Sequence, residues 1–107
     1  MSAAMIYITC ENEAQAREIG RTLVAERLAA CANILPGMTS LYWWEGDIQE
    51  ASEAVLVAKT RQDLAGALAA RVGELHSYDV PCVVVLPILG GNPDFLRWIE
   101  EQTRSDS

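Results

Sequence analysis

Apolar and polar positions change their spacing several times along the chain, and the changes predict four strands and three helices. Runs rich in β-branched and aromatic residues are typical of strands. Apolar residues repeated at intervals of three and four predict helices. The predicted strands cover residues 4–10, 31–45, 48–59 and 82–89, and the predicted helices cover 13–29, 61–76 and a short stretch from 93 onward.

The order of these elements predicts how the layers pack. The segments 54–59 and 82–89 are apolar on both faces, which predicts that the third and fourth strands lie inside the sheet rather than at its edges. Strand, helix, strand, strand, helix, strand is the order of an α+β, ferredoxin-like sandwich. We therefore expect an antiparallel sheet with two helices on one face, a long hairpin between its second and third strands, and a short C-terminal helix.

Polar residues at the predicted helix starts indicate caps. Asn12, followed three residues later by Gln15, has the spacing of a capping box. Thr60 and Asp63 have the same spacing before the second helix. Pro93 suits the first turn of the last helix because proline lacks the N–H that is unsatisfied there.

The long hairpin is the most distinctive part of the chain. Gly46-Asp47 predicts a two-residue turn with positive φ at the glycine, which places Glu45 opposite Ile48. Pro36-Gly37 predicts a bulge in the first arm, because proline cannot donate to the ladder.

The first arm of this hairpin is apolar on both faces close to the turn. A surface strand normally buries one face only, so the four consecutive residues of this run should be covered on both sides. Each arm spans a dozen residues, or roughly 40 Å, which is more than two short helices can hide. We infer that the hairpin projects and is buried by another copy of the chain; a monomer with both indoles in its core is the alternative. The run comprises Leu41, Tyr42, Trp43 and Trp44.

Length and charge exclude several classes of partner. A chain of 107 residues with half of them hydrophobic is expected to form a single domain over residues 1–107. Its formal net charge of -7 repels phosphate backbones and anionic lipids, so neither nucleic acid nor a membrane is expected as a partner. The N-terminus lacks the pattern of a signal peptide and no stretch is long enough to span a membrane, which predicts a cytoplasmic protein.

The three cysteines give neither a disulfide framework nor a zinc knuckle, because they are odd in number and widely spaced. Free thiols in a reducing compartment fit this pattern. Cys31 and Cys82 fall in or beside predicted strands and are expected to be core residues.

Several segments together resemble the CutA family of divalent-cation tolerance proteins. They are ERLAACANILPGMTSLYWWEGDIQE, VAKTR, ELHSYDVPCVVVLP and GNPDFLRWIE, and the similarity extends over nearly the whole chain. The resemblance implies a homotrimer of ferredoxin-like subunits in which the long hairpins add strands to neighbouring subunits. It also implies a role in tolerance of, and response to, copper and other divalent metal ions.

A copper site is also implied by the resemblance. The family's proposed ligands are a cysteine that ends the first strand and two adjacent histidines at the close of the second helix; the matching residues here are Cys10 and His76. Leu75 stands at the first histidine position, and Ser77 replaces the usual proline. Thiolate and imidazole suit Cu(I), or Zn(II) with two further ligands. The missing ligands would come from a neighbouring subunit or from Glu11, Glu74 or Asp79.

Both proposed ligands also have ordinary structural interpretations. Cys10 can be a small buried apolar residue. His76 can satisfy carbonyl groups at the end of the second helix.

Two further functions stay open. The family's trimer is similar to that of the PII-type signalling proteins, so the chain could be a small-ligand sensor with pockets between subunits, or a scaffold that docks an unidentified protein. An enzyme is not expected, because the single histidine offers only one candidate base and no Ser-His-Asp set is present.

Overall fold

Among the residues that the structure describes, four antiparallel strands form one sheet and three α-helices accompany it. A computed structural model describes residues 2–104. The elements are β1 (Ala3–Cys10), α1 (Glu13–Ala25), β2 (Cys31–Trp44), β3 (Asp47–Arg61), a 3-10 helix (Gln62–Leu64), α2 (Ala65–Leu75), β4 (Val83–Pro87) and α3 (Pro93–Gln102). The strand order β2-β3-β1-β4, with every pair antiparallel, confirms the predicted ferredoxin-like α+β fold.

The main core lies between the sheet and the helices α1 and α2. Gly20 lets α1 approach closely, because a Cβ atom there would be 3.1 Å from Leu56 Cδ1. A second cluster contains Ala3 of β1 and Ile99 of α3. The next residue of β1, Ala4, faces the main core, so Ala3 lies on the other face of the sheet. Helix α3 therefore covers one end of the sheet face opposite α1 and α2. Fully buried side chains of the main core include Ile6, Ile8, Ile19, Leu23, Leu56, Leu68 and Val72.

The predicted start of α1 is confirmed, but its predicted end is wrong. Asn12 Oδ1 accepts a hydrogen bond from the Gln15 N–H at 2.8 Å. The helix ends at Ala25 instead of residue 29, and Arg27 takes a positive φ of 63°. Leu28 and Ala29 lie beyond the end of the helix and are buried in the main core. Their apolar character extends the helical pattern in the sequence, although neither residue is helical.

The predicted cap of the second helix is also wrong. Thr60 lies in β3 opposite Ala4, and its hydroxyl donates to the Leu28 carbonyl at 2.7 Å. Asp63 instead accepts hydrogen bonds from the Arg61 guanidinium. Pairing with β1 extends the strand past the threonine, so α2 begins later, at Ala65, without a side-chain cap.

The hairpin exists as predicted, but its register differs by two residues. Trp43 pairs with Ile48 and Trp44 with Asp47, so the turn residues are Glu45 and Gly46. Their φ angles of 50° and 82° are those of a type I′ turn, in which both central residues are left-handed. A shift of two leaves every side chain on its predicted face, because side chains alternate with a period of two.

The bulge in the first arm is confirmed. The pairing of β2 with β3 breaks between Leu35 and Met38. Gly37 takes a φ of 74° at that break, a value that favours glycine.

The two continuously apolar strands differ in position. β3 lies between β2 and β1, as predicted. The prediction that the fourth strand is interior is wrong for this chain, because β4 lies at the sheet edge. Its side chains Val84, Val85 and Leu86 are 49%, 46% and 40% exposed. The apolar residues of β4 therefore remain partly exposed to solvent in the single chain.

Candidate functional site between the hairpin and the loop after α2

The loop that follows α2 is held by hydrogen bonds to three other parts of the chain. Ser77 of the loop bonds to the β1–α1 turn and the start of α1. The Gln15 amide donates to Ser77 Oγ at 2.7 Å, and the Ser77 hydroxyl donates to the Glu11 carboxylate at 3.1 Å. Glu11 and Gln15 are themselves linked, since the Glu11 N–H donates to Gln15 Oε1. The serine that replaces the family's usual proline therefore has a defined role in attaching this loop.

His76 uses both ring nitrogens in this loop. Nε2 lies 2.8 Å from the Thr9 carbonyl, which can only accept, and Nδ1 lies 3.1 Å from the Tyr78 N–H, which can only donate. These partners select the neutral tautomer with its proton on Nε2. The ring also lies against the Tyr78 ring, with centroids 4.8 Å apart.

Cys10 lies one residue beyond the carbonyl that His76 contacts. Its side chain is completely buried at the end of β1, opposite Ala54. Burial, followed by the negative charge of Glu53, raises the pKa of the Cys10 thiol to about 11. The thiol is therefore protonated at neutral pH.

These observations do not fit a formed metal centre. A metal ion that bound both side chains would have to displace the proton of the Cys10 thiol and one hydrogen bond of the His76 ring. Across residues 2–104, no group of three or more histidine, cysteine, aspartate or glutamate side chains is placed to hold a metal ion. Cys10 and His76 remain a prediction that rests on the family's pattern.

The other two cysteines lie outside the main core. Cys31 is half-buried, with its Sγ 4.0 Å from the Lys59 ammonium nitrogen. Cys82 was expected in the core but is exposed, because β4 begins one residue later and lies at the sheet edge.

Tyr78 connects the loop to the hairpin. Its hydroxyl donates to the Glu53 carboxylate at 2.8 Å. Burial of the phenol, then the hydrogen bond to Glu53 and negative charges including Glu11, raise the pKa of Tyr78 to about 12. The tyrosine is thus held in its neutral, donating form.

A cleft of about 700 Å³ lies between this loop and one face of the hairpin. Two rings of the hairpin and one of the loop form aromatic walls, and two carboxylates supply negative charge. The residues that define it are Tyr42, Trp44, Glu53, Tyr78, Asp79 and Cys82.

The two faces of the hairpin therefore differ. Tyr42 and Trp44 share the face that borders the cleft, and Leu41 and Trp43 alternate with them on the other face, although Leu41 also lines the cleft. On the outer face, Leu41, Trp43 and Ile48 are 67%, 73% and 65% exposed. We call these three residues the outer hairpin patch.

Comparison with known proteins identifies the family. The family model described as CutA1 divalent ion tolerance protein matches residues 4–102. The chain belongs to the CutA1 family.

Relatives of this chain include a plant protein and a bacterial protein. It is 44% identical over 100 residues to "Protein CutA 1, chloroplastic" of Oryza sativa subsp. japonica, which covers 94% of this chain and 56% of that protein. It is 46% identical over 99 residues to the divalent-cation tolerance protein CutA of Thermus thermophilus, covering 92% and 96% of the two chains. The chain thus spans less than two thirds of the length of the plant relative.

Solved structures share the fold. The crystal structure of CutA1 from Oryza sativa matches with a TM-score of 0.97 at 42% identity, covering 99% of this chain and 97% of that chain. The predicted CutA resemblance is therefore confirmed.

Sequence reasoning missed part of the CutA1 cleft. The sequence names Asp79 as a candidate metal ligand but gives no role to Glu53. Glu53 pairs with Met38 in β2. Because side chains alternate along a strand, Glu53 therefore lies on the same face of the hairpin as Tyr42 and Trp44. That alternation is visible in the sequence. The contact with Tyr78 is not, because it depends on where the loop after α2 returns to the sheet.

Proposed function

We propose that this protein acts in divalent-cation tolerance as a homotrimer in which the outer hairpin patch of each subunit is buried by a neighbour. The exposed outer hairpin patch carries the proposal. Contiguous apolar surface of this kind is typical of a protein–protein interface, because it costs free energy in water. The number three comes from the family resemblance.

The shape of the chain supports this assembly. Its principal dimensions are 44 × 26 × 21 Å, and every residue from 41 to 50 is exposed, so the end of the hairpin projects from the sandwich. Among the described residues, β4 pairs with a strand on one edge only, that of β1. A projecting strand of one copy and the edge strand of another are complementary, since an open edge offers unpaired N–H and C=O groups.

Copper, or another divalent ion, is the proposed metal, with Cys10 and His76 as the proposed ligands on the family pattern alone. The donor atoms of both residues are engaged in this structure, because the Cys10 thiol is protonated and each His76 ring nitrogen has a hydrogen-bond partner. The engagement of both nitrogens of the single histidine also supports a non-enzymatic role.

A cytoplasmic location remains part of the proposal. In residues 2–104 no helix is both long and apolar enough to cross a bilayer. The name of the rice relative places that protein in the chloroplast.

The assembly is tested by disrupting the patch. Trp43→Lys places a charge where a neighbour would bury an indole, and it should shift the protein from trimer to monomer in size-exclusion chromatography. Val24→Lys, at a 37% exposed apolar position on α1, is the matched control and should leave the elution volume unchanged. A trimer that persists in Trp43→Lys would contradict this use of the patch.

The small-ligand sensor is a second candidate, because the aromatic cleft supplies a place for a ligand. A thermal-shift screen of metal ions beside small organic molecules would separate it from the metal-binding function. A ligand at a hundred times its dissociation constant should stabilise the fold by about 2.7 kcal/mol per site.

A further inference from the structure

We propose that the groove between α1 and the first residues of β2 binds a small organic acid, a carboxylate carried on an apolar chain. The groove has a volume of about 470 Å³, which is the size of a small-molecule site. One face of α1 lines it together with Ala32 and Ile34 of β2. The inference goes beyond the proposed trimer and does not rest on it.

The helix supplies both charge and apolar surface to the groove. Arg17 and Arg21 are one turn apart, and Val24 and Ala25 follow one turn later. Residues at these spacings share one face of a helix, so the charged groups lie toward the start of α1 and the apolar groups toward its end. An elongated ligand can therefore meet cations at one end of the groove and apolar side chains at the other.

Small residues leave the groove unfilled. A Cβ atom at Gly20 would lie 3.1 Å from Leu56 Cδ1 and 3.2 Å from Ala32 Cβ, so the helix backbone approaches the sheet closely at this point. Ala32 and Ile34 pack against the main core but are only partly buried. They therefore offer apolar surface that a ligand chain can cover.

The two guanidinium groups are available to an anion. Arg17 forms an ion pair with Glu13, and both side chains of the pair are largely exposed, so the pair contributes little and leaves guanidinium donors unused. Arg21 has no ion pair or hydrogen bond with any described residue. The described residues that line the groove include no acidic side chain. A single carboxylate can accept hydrogen bonds from both arginines, which favours an anionic ligand.

The net charge of the chain limits this ligand to a small anion. At -7 the chain repels polyanions. Physiological salt screens charges that are more than about 8 Å apart, so the two nearby arginines dominate the potential inside the groove. Exposed charge pairs contribute little affinity in water, and burial of an apolar chain supplies the rest.

The groove lies away from the surfaces that the proposed assembly uses. Ala32 and Ile34 pair with Ala58 and Leu56 of the main core, so they lie on the sheet face that α1 covers. Both precede the bulge that begins after Leu35. No lining residue belongs to the outer hairpin patch or to the aromatic cleft, so one chain holds the whole groove.

The test is a calorimetric titration of the intact protein with three probes at physiological salt. Octanoate carries both the carboxylate and the chain, octan-1-ol has the chain without the charge, and acetate has the charge without the chain. Octanoate should bind, and each of the other probes should bind at least about tenfold more weakly. No binding of octanoate, or equal affinity for octanoate and either other probe, would overturn the proposal.

Variants locate the site. Arg21→Gln should weaken octanoate binding by about tenfold, and Arg17→Gln by a smaller factor because Glu13 shares that guanidinium. Arg97→Gln is the matched control, because Arg97 is an exposed arginine that is likewise paired with an acidic residue of its own helix, and the affinity should stay unchanged. Unchanged affinity in Arg21→Gln would show that octanoate binds elsewhere and would contradict the assignment.

A monomeric variant distinguishes this groove from a pocket formed between copies. Trp43→Lys, which should dissociate the trimer, should bind octanoate as tightly as the parent protein, because every lining residue belongs to one chain. Loss of octanoate binding in Trp43→Lys would place the site between subunits and would overturn the proposal.

Discussion

The Tyr78 hydroxyl donates a hydrogen bond to the Glu53 carboxylate at 2.8 Å, and this bond joins the loop after α2 to β3, the second arm of the hairpin. The same loop is held to β1 through His76 and to the β1–α1 turn through Ser77. One wall of the cleft is thereby fixed against the other.

Removing the Tyr78 hydroxyl should lower stability. Tyr78→Phe keeps the ring contact with His76 but loses the bond to Glu53, so the free energy of unfolding in urea should fall by about 1 kcal/mol. Tyr7→Phe is the matched control, because the Tyr7 hydroxyl donates to the Met38 sulfur, a weak acceptor, at 3.5 Å, and the loss of this bond should cost less. Equal losses in the two variants, measured at one protein concentration, would argue against the Glu53 contact.

The burial of Tyr78, followed by its bond to Glu53, also predicts a pH dependence of stability. The pKa of the phenol is about 12 when folded and 10 in an ordinary tyrosine, so the unfolded chain loses this proton first as pH rises. The stabilisation is complete below pH 10 and is lost as pH rises from 10 to 12. An absorbance titration at the tyrosinate band should show one phenol fewer ionising near pH 12 in Tyr78→Phe. Tyrosine ionisation that is already complete by pH 10.5 in the folded parent would contradict this.

The cysteines should differ in reactivity with iodoacetamide at pH 8. Cys82 is exposed, whereas Cys10 is buried with its pKa raised to about 11, so Cys10 should be alkylated at least about tenfold more slowly. The difference between the alkylation rates of Cys82 and Cys10 should narrow as pH rises from 9 to 11, because the Cys10 thiolate forms as pH approaches its pKa of about 11. Peptide mapping by mass spectrometry measures both sites, and equal rates at pH 8 would show that Cys10 is accessible and ionised.

The proposed copper ligands have a direct test. If the family pattern holds, replacing both Cys10 and His76 with alanine should weaken Cu(I) binding by orders of magnitude in a competition titration, while the trimer persists. Cys82→Ala controls for an exposed thiol. Unchanged affinity in the double variant would remove this pair from consideration.

The hairpin register is tested at Glu45. Asparagine tolerates a positive φ better than glutamate and precedes glycine in favoured type I′ turns, so Glu45→Asn should raise the free energy of unfolding by roughly 0.5 kcal/mol. In the register with Gly46-Asp47 at the turn, residue 45 would be in a strand. Destabilisation by asparagine would therefore favour that alternative.

Local chemistry made most of the fold predictable. Asn12 and Pro93 mark helix starts because their effects depend on neighbours in sequence, and Gly37 marks the bulge for the same reason. The predictions were wrong where contacts between residues distant in sequence determine the local structure. Thr60 has the chemistry of a cap, but its strand partner Ala4 and the Leu28 carbonyl place it in β3.

The candidate site was less predictable than the fold. The family pattern pointed to Cys10 and His76, but their burial and hydrogen bonds depend on the packing of β1 against the loop after α2. The meeting of Glu53 with Tyr78 likewise joins residues 25 positions apart. Only the folded chain shows that contact.

The central claim is the trimer built on the projecting hairpin. Sedimentation equilibrium of the unmodified protein at micromolar concentration measures its mass directly. Three copies of the 11.7 kDa chain give a species of about 35 kDa, which is the predicted result. A single species with the mass of one chain would contradict the account.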